Sequence, residues 1–514
     1  MEIIFSSILK YRAFTHPQRI AYLFEGKVFT YEEYYKQSVA VAKHLRSLGL
    51  KKGDRIGLLD LNTPHSIHFI SGAMLIGVIP VSLNWRSMPP EIIFVLNDAG
   101  IKHFFYGAAF TQLIQATPFP AGIDLHKIEE EIPAGNNNDD LTESNLQPED
   151  ACVILYTSGT TGNPKGVLLS YKNIYACYQL CAWDTPSFGP DARNLICGPL
   201  YSIFGFGAFF SCIYAGATNV LARIFEPNMI AKLMSETKVT NALLVPVMIK
   251  LICMTEGIEH FDFSSLKHIQ YGGSPISADT LMKAYKIFNC YFTQVYGLTE
   301  SAGVGCSLRF DDHAQILTAE NADNKLLLSA GKPSLGIQMK IVDDDGNELS
   351  ANDPGEVLIK GENISSGYWH TEEENKKMFT AGNWLQTGDI GYFDEEGYLF
   401  LIDRKNDKIV SKGVNIFPAE VERVLEQHPQ IREVAVVAVP NDKAGEAVCA
   451  AVVLKEGNLE LDELQNWCKG RIADYKIPKQ LEVKTELPRN PTGKILRRLI
   501  REPFWKNEQR RIKG

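Results

Sequence analysis

The sequence predicts an α/β chain: a large N-terminal domain with doubly wound parallel sheets and a small β-rich lobe, then a small α+β C-terminal domain. Three observations predict it. Strand-like apolar runs alternate with helical stretches through residue 305, the order expected of parallel strands joined by helices. After Leu326 the pattern changes to short strands with turns at Asp345-Gly346 and Asp353-Pro354-Gly355, as in a β-rich lobe. Beyond Arg404 to Asp407 a helix, two strands and a second helix follow, enough for a compact domain of about 105 residues. A chain of 514 residues also exceeds what one core holds. The expected division is residues 1–403 and 404–514.

Taken in order, RIAYLFEGKVFTYEEYYKQSVAVAKHLRSLGL reads as a hairpin turning at Glu25-Gly26, then an amphipathic helix stopping at Gly49. DRIGLLDL is a buried strand. Ser66 to Leu83 has no Asp, Glu, Lys or Arg over eighteen residues, near the length of a membrane span. It also carries His68, Gly72, Gly77 and Pro80, so a buried helix followed by a buried strand is the better account. Residues 134–150 are polar and acidic and form an exposed connector. Further on come an apolar IYAGATNVLA, a helix MIAKLMSETK and the strands NALLVPV and HIQYGGSP. In the last domain PAEVERVLEQHP and LDELQNWCKGRIA are helices, and VAVVAVP and AVCAAVVLKEG are strands.

Composition excludes some classes. A formal charge of -9 argues against wholesale nucleic-acid binding, which needs clustered cations. The basic tail from Arg497 to Lys513 is read as a solvated helix end. Ten cysteines are dispersed without a C-x-x-C pair. Cys177 and Cys181 share a helix spacing but have no histidines at metal-ligand spacing, so free thiols in a reducing compartment fit best. The N-terminus lacks a basic segment followed by a long apolar run, so no secretory signal is read and a cytoplasmic location is expected.

The chain is organised around YTSGTTGNPKGV, Tyr156 to Val167. Gly159, Gly162 and Gly166 let backbone N–H groups approach an anion. Ser158, Thr160 and Thr161 add hydroxyl donors, and Lys165 adds a cation. An apolar strand precedes the loop and Ser170 stands ahead of a helix-like stretch, so strand, loop and helix are expected in that order. It is not a Walker loop, because Lys165 follows Pro164 and precedes Gly166.

This loop resembles the phosphate loop of the adenylate-forming superfamily, which includes acyl-CoA synthetases, luciferases and the adenylation domains of peptide synthetases. Three further matches follow in the family's order: VYGLTE (Val295 to Glu300), TGDIGYFDEEGYLFLIDRKNDKI (Thr387 to Ile409) and NPTGKI (Asn490 to Ile495). The resemblance covers nearly the whole chain. It implies ATP-dependent activation of a carboxylic acid to an acyl adenylate, with release of pyrophosphate and transfer to a thiol; ATP, Mg²⁺ and coenzyme A are the cofactors.

The resemblance also implies roles. Thr157, Ser158, Gly159, Thr160, Thr161 and Lys165 grip the β- and γ-phosphates. Tyr296, with Gly297, lies against the adenine, where an aromatic ring offers stacking area. Thr299 contacts the α-phosphate, and Glu300 holds Mg²⁺ as a hard oxygen ligand. Gly272, Gly273, Ser274 and Pro275 flank the adenine and the acyl carboxyl group. Asp389 accepts from the ribose hydroxyls, and Arg404 reaches the nucleotide. Lys494 is the catalytic lysine, an ammonium stabilising charge between carboxylate and α-phosphate. The C-terminal domain is mobile, hinging at Asn406, where relatives usually have Asp or Lys, and it brings Ser411, Lys412 and Gly413 to the coenzyme A side.

For the acid, Ser202, Phe204, Phe206, Tyr271, Gly272, Ala302 and Gly303 are the expected contacts, with Ser202 standing where many relatives have histidine. No Asp, Glu, Lys, Arg or His occurs from Ile196 to Ala222, and no cation between Tyr296 and Leu308. That fits an apolar monocarboxylic acid, fatty before aromatic, rather than an amino acid or a dicarboxylate. Coenzyme A is the first acceptor, because the chain ends soon after NPTGKI without a carrier domain. An acyl carrier protein thiol is the alternative. A catalytically silent scaffold is disfavoured by Lys494, Glu300 and the phosphate loop.

Overall fold

The computed structural model describes residues 3–131, 145–157, 164–318, 325–405, 407–411, 414–441, 445–489 and 495–505. The chain divides into two compact units, residues 1–339 with 359–385, and residues 340–358 with 386–514. Residues 340–358 and 386–403, placed with the N-terminal domain on sequence grounds, therefore group with the C-terminal residues.

Two sheets form the first unit. Among the described residues one has the strand order Lys332–Pro333, Cys306–Leu308, Tyr291–Tyr296, His268–Gly272, Asn241–Leu244, Arg193–Ile196, Thr218–Leu221, Ile20–Phe24, Lys27–Thr30. Its centre is parallel, from Tyr291–Tyr296 through to Thr218–Leu221. The second runs Asp124–Lys127, His103–Tyr106, Arg55–Leu59, Ile79–Ser82, Ala151–Thr157, Lys165–Ser170 and is parallel up to its last pair.

Local chemistry explains the elements. Glu25 and Gly26 both have positive φ (46° and 77°), the backbone of a tight two-residue hairpin turn. Thr30 then caps the helix Tyr31–Ser47, accepting from the Glu33 amide while the Glu33 carboxylate reaches back to the Thr30 N–H. The uncharged stretch becomes the helix Pro64–Ile76, ended by Gly77 at φ 74°, and the strand Ile79–Ser82. From Ser66 through Ile76 the helix is buried all round, so its apolar character serves packing. Among the described residues no helix is long and apolar enough to cross a membrane.

Two elements depart from the sequence reading. Lys165–Ser170 is a strand paired antiparallel with Ala151–Thr157, so the glycine loop joins a hairpin, and the helix Tyr171–Asp184, capped by Ser170, begins only afterwards. Ile203–Ala215 is a helix; its near-uniform apolarity leaves no amphipathic stripe to read.

In the second unit Leu399–Arg404 lies antiparallel to Asp389–Phe393 in a small sheet, with Asp389 opposite Arg404. The C-terminal sheet pairs Ile431–Asn441 with Gly445–Leu454 and is buried on both faces. Val434, Val436 and Ala438 pack with Val421, Leu425 and Leu464 on one side, while Ala435, Val437 and Val439 pack with Leu487 and Ile500 on the other. This is the period-two alternation of a strand between two layers. The basic tail helix Arg497–Trp505 is docked rather than solvated. Ile500 is buried, Arg497 donates to both carboxylate oxygens of Glu422 (2.6 and 3.2 Å), and the Trp505 indole N–H donates to the Ala438 carbonyl (3.0 Å).

Candidate active site

The candidate nucleotide residues of the first unit gather at the carboxyl ends of its parallel strands, the usual ligand edge of an open α/β sheet. His268–Gly272 and Tyr291–Tyr296 are neighbours, with Gly272 opposite Val295, and they lead into Gly273-Ser274-Pro275 and Gly297 to Gly305. Gly273, Ser274 and Pro275 are exposed, and Gly273 has φ 82°. Beyond Tyr296 the chain makes a tight loop. Thr299–Ser301 is a single helical turn, ended by Ala302 (φ 48°) and Gly303 (φ 89°). The Gly303 N–H donates to the Leu298 carbonyl (2.8 Å) and the Gly305 N–H to the Tyr296 carbonyl (2.7 Å). Tyr296, Thr299 and Glu300 are each half-buried on this loop.

The segment 362–369 splints this loop to the phosphate-loop hairpin. Asn363 is fully buried and its amide donates to the carbonyls of Ser301 and Val304, both at 2.7 Å. The Ser365 N–H donates to the Glu300 carbonyl (2.8 Å), the Leu168 N–H to the Gly367 carbonyl (3.0 Å), and the Trp369 N–H to the Gly166 carbonyl (2.7 Å). Asn375 clamps Tyr368, accepting from its N–H (2.7 Å) and donating to its carbonyl (2.8 Å).

Tyr368 therefore sits between the two motifs. Its hydroxyl donates to Glu300 Oε1 at 2.7 Å, and Lys165 Nζ stands 5.2 Å from its ring centroid, within cation–π range. Lys165 Nζ also pairs with Glu374 Oε2 at 2.7 Å. Thr157, opposite Lys165 in the hairpin, completes the described part of the phosphate loop. Ser158, Gly159, Thr160 and Thr161 lie outside the described residues, as do Lys494, Asn406, Lys412 and Gly413. Neither Tyr368, Asn363 nor Glu374 was found by sequence reasoning. Their partners are about 60 to more than 200 residues away, and no local pattern carries such a pairing.

The acid-side residues divide. Ser202 begins the helix Ile203–Ala215 and donates its hydroxyl to the Pro199 carbonyl (2.9 Å). Phe204 is half-buried. A Cβ built on Gly303 would stand 3.3 Å from Ile203 Cγ1, so this helix start meets the Ala302-Gly303 turn. Two of the expected contacts are buried. Phe206 is fully buried with its ring 4.4 Å from Phe210. Tyr271 is buried too, its hydroxyl bonded to His313 Nε2 at 2.8 Å, so that hydroxyl is turned into the core. Burial pushes the His313 pKa down to about 4. The neutral ring donates from Nδ1 to the Arg309 carbonyl (2.9 Å) and accepts from Tyr271 at Nε2. Asn62, unnoticed in the sequence, anchors the preceding loop. Its amide donates to the carbonyls of Gly198 (2.9 Å) and Ala222 (3.1 Å), and its oxygen accepts from the Leu200 N–H (3.1 Å).

In the second unit Asp389 and Arg404 are brought together as a pair, Nε to Oδ1 2.8 Å, with the Asp389 side chain only 9% exposed. The Asp389 N–H donates to the Thr387 hydroxyl (3.0 Å), which donates to the Val357 carbonyl (2.7 Å). Neighbouring Asp403 accepts from the Ala419 N–H (2.8 Å) at the start of the helix Pro418–Leu425, and burial raises its pKa to about 6. Ser411 stands opposite Val414 on paired antiparallel strands.

Residues 9–369 match the AMP-binding enzyme family and residues 420–494 the AMP-binding enzyme C-terminal domain. A fatty acid–[acyl-carrier-protein] ligase, ScoC of Streptomyces coeruleorubidus, is 33% identical over 96% of this chain and 95% of its own length. A 2-succinylbenzoate–CoA ligase of Bacillus cereus is 32% identical over 96% and 98%. The o-succinylbenzoate coenzyme A synthetase of Bacillus subtilis, solved with ATP and magnesium ion, superposes with a TM-score of 0.83 at 30% identity, covering 95% of this chain and 98% of that one. With its motifs in order on the matching fold, this chain belongs to the AMP-binding enzyme family of adenylate-forming ligases.

Proposed function

We propose that this ligase activates an apolar monocarboxylic acid, a fatty acid ahead of an aromatic one, to its acyl adenylate and transfers the acyl group to coenzyme A. The observation that carries the nucleotide half is the Lys165, Tyr368, Glu300 contact. It joins a cation suited to phosphate and a carboxylate suited to Mg²⁺ through one aromatic side chain.

Thr157, Ser158, Gly159, Thr160, Thr161 and Lys165 grip the outer phosphates, Tyr296 faces the adenine, and Thr299 contacts the α-phosphate. Asp389 and Arg404 serve the ribose and nucleotide. Glu300 fits magnesium: it is a half-buried oxygen donor already oriented by a hydroxyl, and Mg²⁺ prefers one or two carboxylates plus phosphate oxygens and water. When bound, that ion would neutralise charge on the phosphates. Lys494, on a mobile domain taken as residues 404–514 with Asn406 as hinge, stabilises the charge that develops as the acid oxygen attacks phosphorus. Ser411, Lys412 and Gly413 then serve the thiol. Ten free cysteines fit a cytoplasmic site of action.

The apolar acid is supported by the absence of charge from 196 to 222 and of any cation from 296 to 308; a second carboxylate would need a partner there. Half-buried Phe204, and Ile203 beside Gly303, offer apolar surface for such an acid. A carrier-protein thiol is the second reading, favoured by the name of ScoC. Pyrophosphate release across a panel of fatty, aromatic and dicarboxylic acids, with and without coenzyme A, tests both. Failure of every acid on the panel to give release sinks the enzyme reading. Acyl-AMP formation without acyl-CoA favours the carrier protein.

A further inference from the structure

Glu374 has no part in the motifs, yet its carboxylate occupies the cation that the phosphate loop presents. The Lys165 ammonium lies at the foot of the hairpin, 2.7 Å from Glu374 Oε2, with Lys165 19% and Glu374 36% exposed at the side chain. That is the separation of a charge-assisted N–H···O contact, the same length a phosphate oxygen would take. The Tyr368 ring covers another side of the ammonium at 5.2 Å, and Asn375, one residue after Glu374, clamps the Tyr368 backbone through both its N–H and its carbonyl. Glu374 is thus presented to Lys165 by the same short segment that orients Tyr368 toward Glu300. Glu372 and Glu373 add two more negative charges in the same helical turn.

We infer that Glu374 is a built-in competitor for nucleotide phosphate: its carboxylate holds the Lys165 ammonium in the ligand-free enzyme, and a triphosphate must displace it. The inference rests on reading Lys165 as a phosphate ligand. Both side chains keep some exposure, although the Glu374 oxygen at the contact is itself buried and held as an ion pair without a directed hydrogen bond, and partly exposed pairs of this kind are weak enough to exchange. A triphosphate brings several negative oxygens against one carboxylate, so it wins while Glu374 sets the concentration at which it does. The device holds the lysine against the Tyr368 ring and lowers ATP affinity in the same stroke.

The test is the KM for ATP in pyrophosphate release, measured for wild type, Glu374→Gln, Lys165→Ala and the double variant, with melting temperatures taken to check folding. Glu374→Gln keeps size and polarity but cannot hold an ammonium as an ion pair. It is expected to lower the KM for ATP about two- to fivefold, the range set by loss of a partly exposed pair. Lys165→Ala is expected to raise it, and Glu374→Gln to have no effect in the Lys165→Ala background. Calorimetric titration with inorganic tripolyphosphate, which needs no turnover, should show the same tightening in Glu374→Gln. A raised KM in Glu374→Gln overturns the inference, because Glu374 would then be helping Lys165. Tightening that persists without Lys165 also overturns it, since simple repulsion would account for it. An unchanged KM in Lys165→Ala instead sinks the phosphate-ligand reading, and this inference with it.

Discussion

The two units hold their candidate ligand groups by different means. In the second, Asp389 and Arg404 face each other on adjacent antiparallel strands, and the sheet beyond them is buried through plain alternation. In the first, Glu300, Lys165 and Tyr368 meet only because Asn363, Ser365, Gly367 and Trp369 tie a distant loop to a hairpin. Pairing between neighbouring strands survives small local change. A splint of single hydrogen bonds between distant segments does not, and its members should be sensitive out of proportion to their size.

The sharpest difference is expected in acid. Three histidines of the first unit, His68, His268 and His313, are buried, and burial pushes their pKa values down to about 3, 4 and 4. In the second unit His428 is also shifted down, chiefly by burial, but by less. Folded values below the unfolded imidazole value mean that the unfolded chain binds more protons, so stability rises with pH. Each contributes roughly 3–5 kcal/mol, fully present above about pH 6.5 and lost as pH falls toward 4, or toward 3 for His68. Hydrogen exchange followed from pH 7 to 4 should lose protection in the first unit before the second, and His313→Gln should flatten part of that loss. Equal loss in both units would erase the contrast.

Next comes Asn363→Ala, which orphans the Ser301 and Val304 carbonyls in a fully buried site. A cost of about 2–4 kcal/mol is expected from thermal or denaturant unfolding, with adenylation falling further than stability alone explains. A fall in stability with adenylation intact would mean that the splint does not position the Glu300 loop. Asp389→Asn is expected to cost less, about 1–2 kcal/mol, because the amide still accepts a hydrogen bond from Arg404; the KM for ATP should rise. No rise in KM would make the pair scaffold only. The smallest effect is expected from Tyr368→Phe, which removes the hydroxyl on Glu300 and keeps the ring beneath Lys165. Loss of about 1 kcal/mol there should raise the Mg²⁺ concentration for half-maximal activity roughly fivefold. A lower requirement would show that the hydroxyl competes with the metal instead of orienting its ligand.

Parts of this fold were legible because they are written locally. The Glu25-Gly26 hairpin, Ser170 ahead of its helix and the strand Ile431–Asn441 each follow from residues within a few positions. The helix Ile203–Ala215 was missed because burial on every side removes the amphipathic signal. The strand Lys165–Ser170 was missed because a glycine-rich loop ahead of a capped helix reads as strand, loop and helix.

Alone, the sequence determined the α/β class, the family and the chemical type of the residues offered to a nucleotide, since motif spacing and hydrophobic period are properties of a few consecutive residues. Only the tertiary structure decided that Tyr271 serves His313, that Asn62 and Asn363 anchor the loops, and that Tyr368 and Glu374 attend Lys165. Those partners lie far apart in the chain, and packing a buried polar group obliges it to find a partner without specifying in the sequence which one.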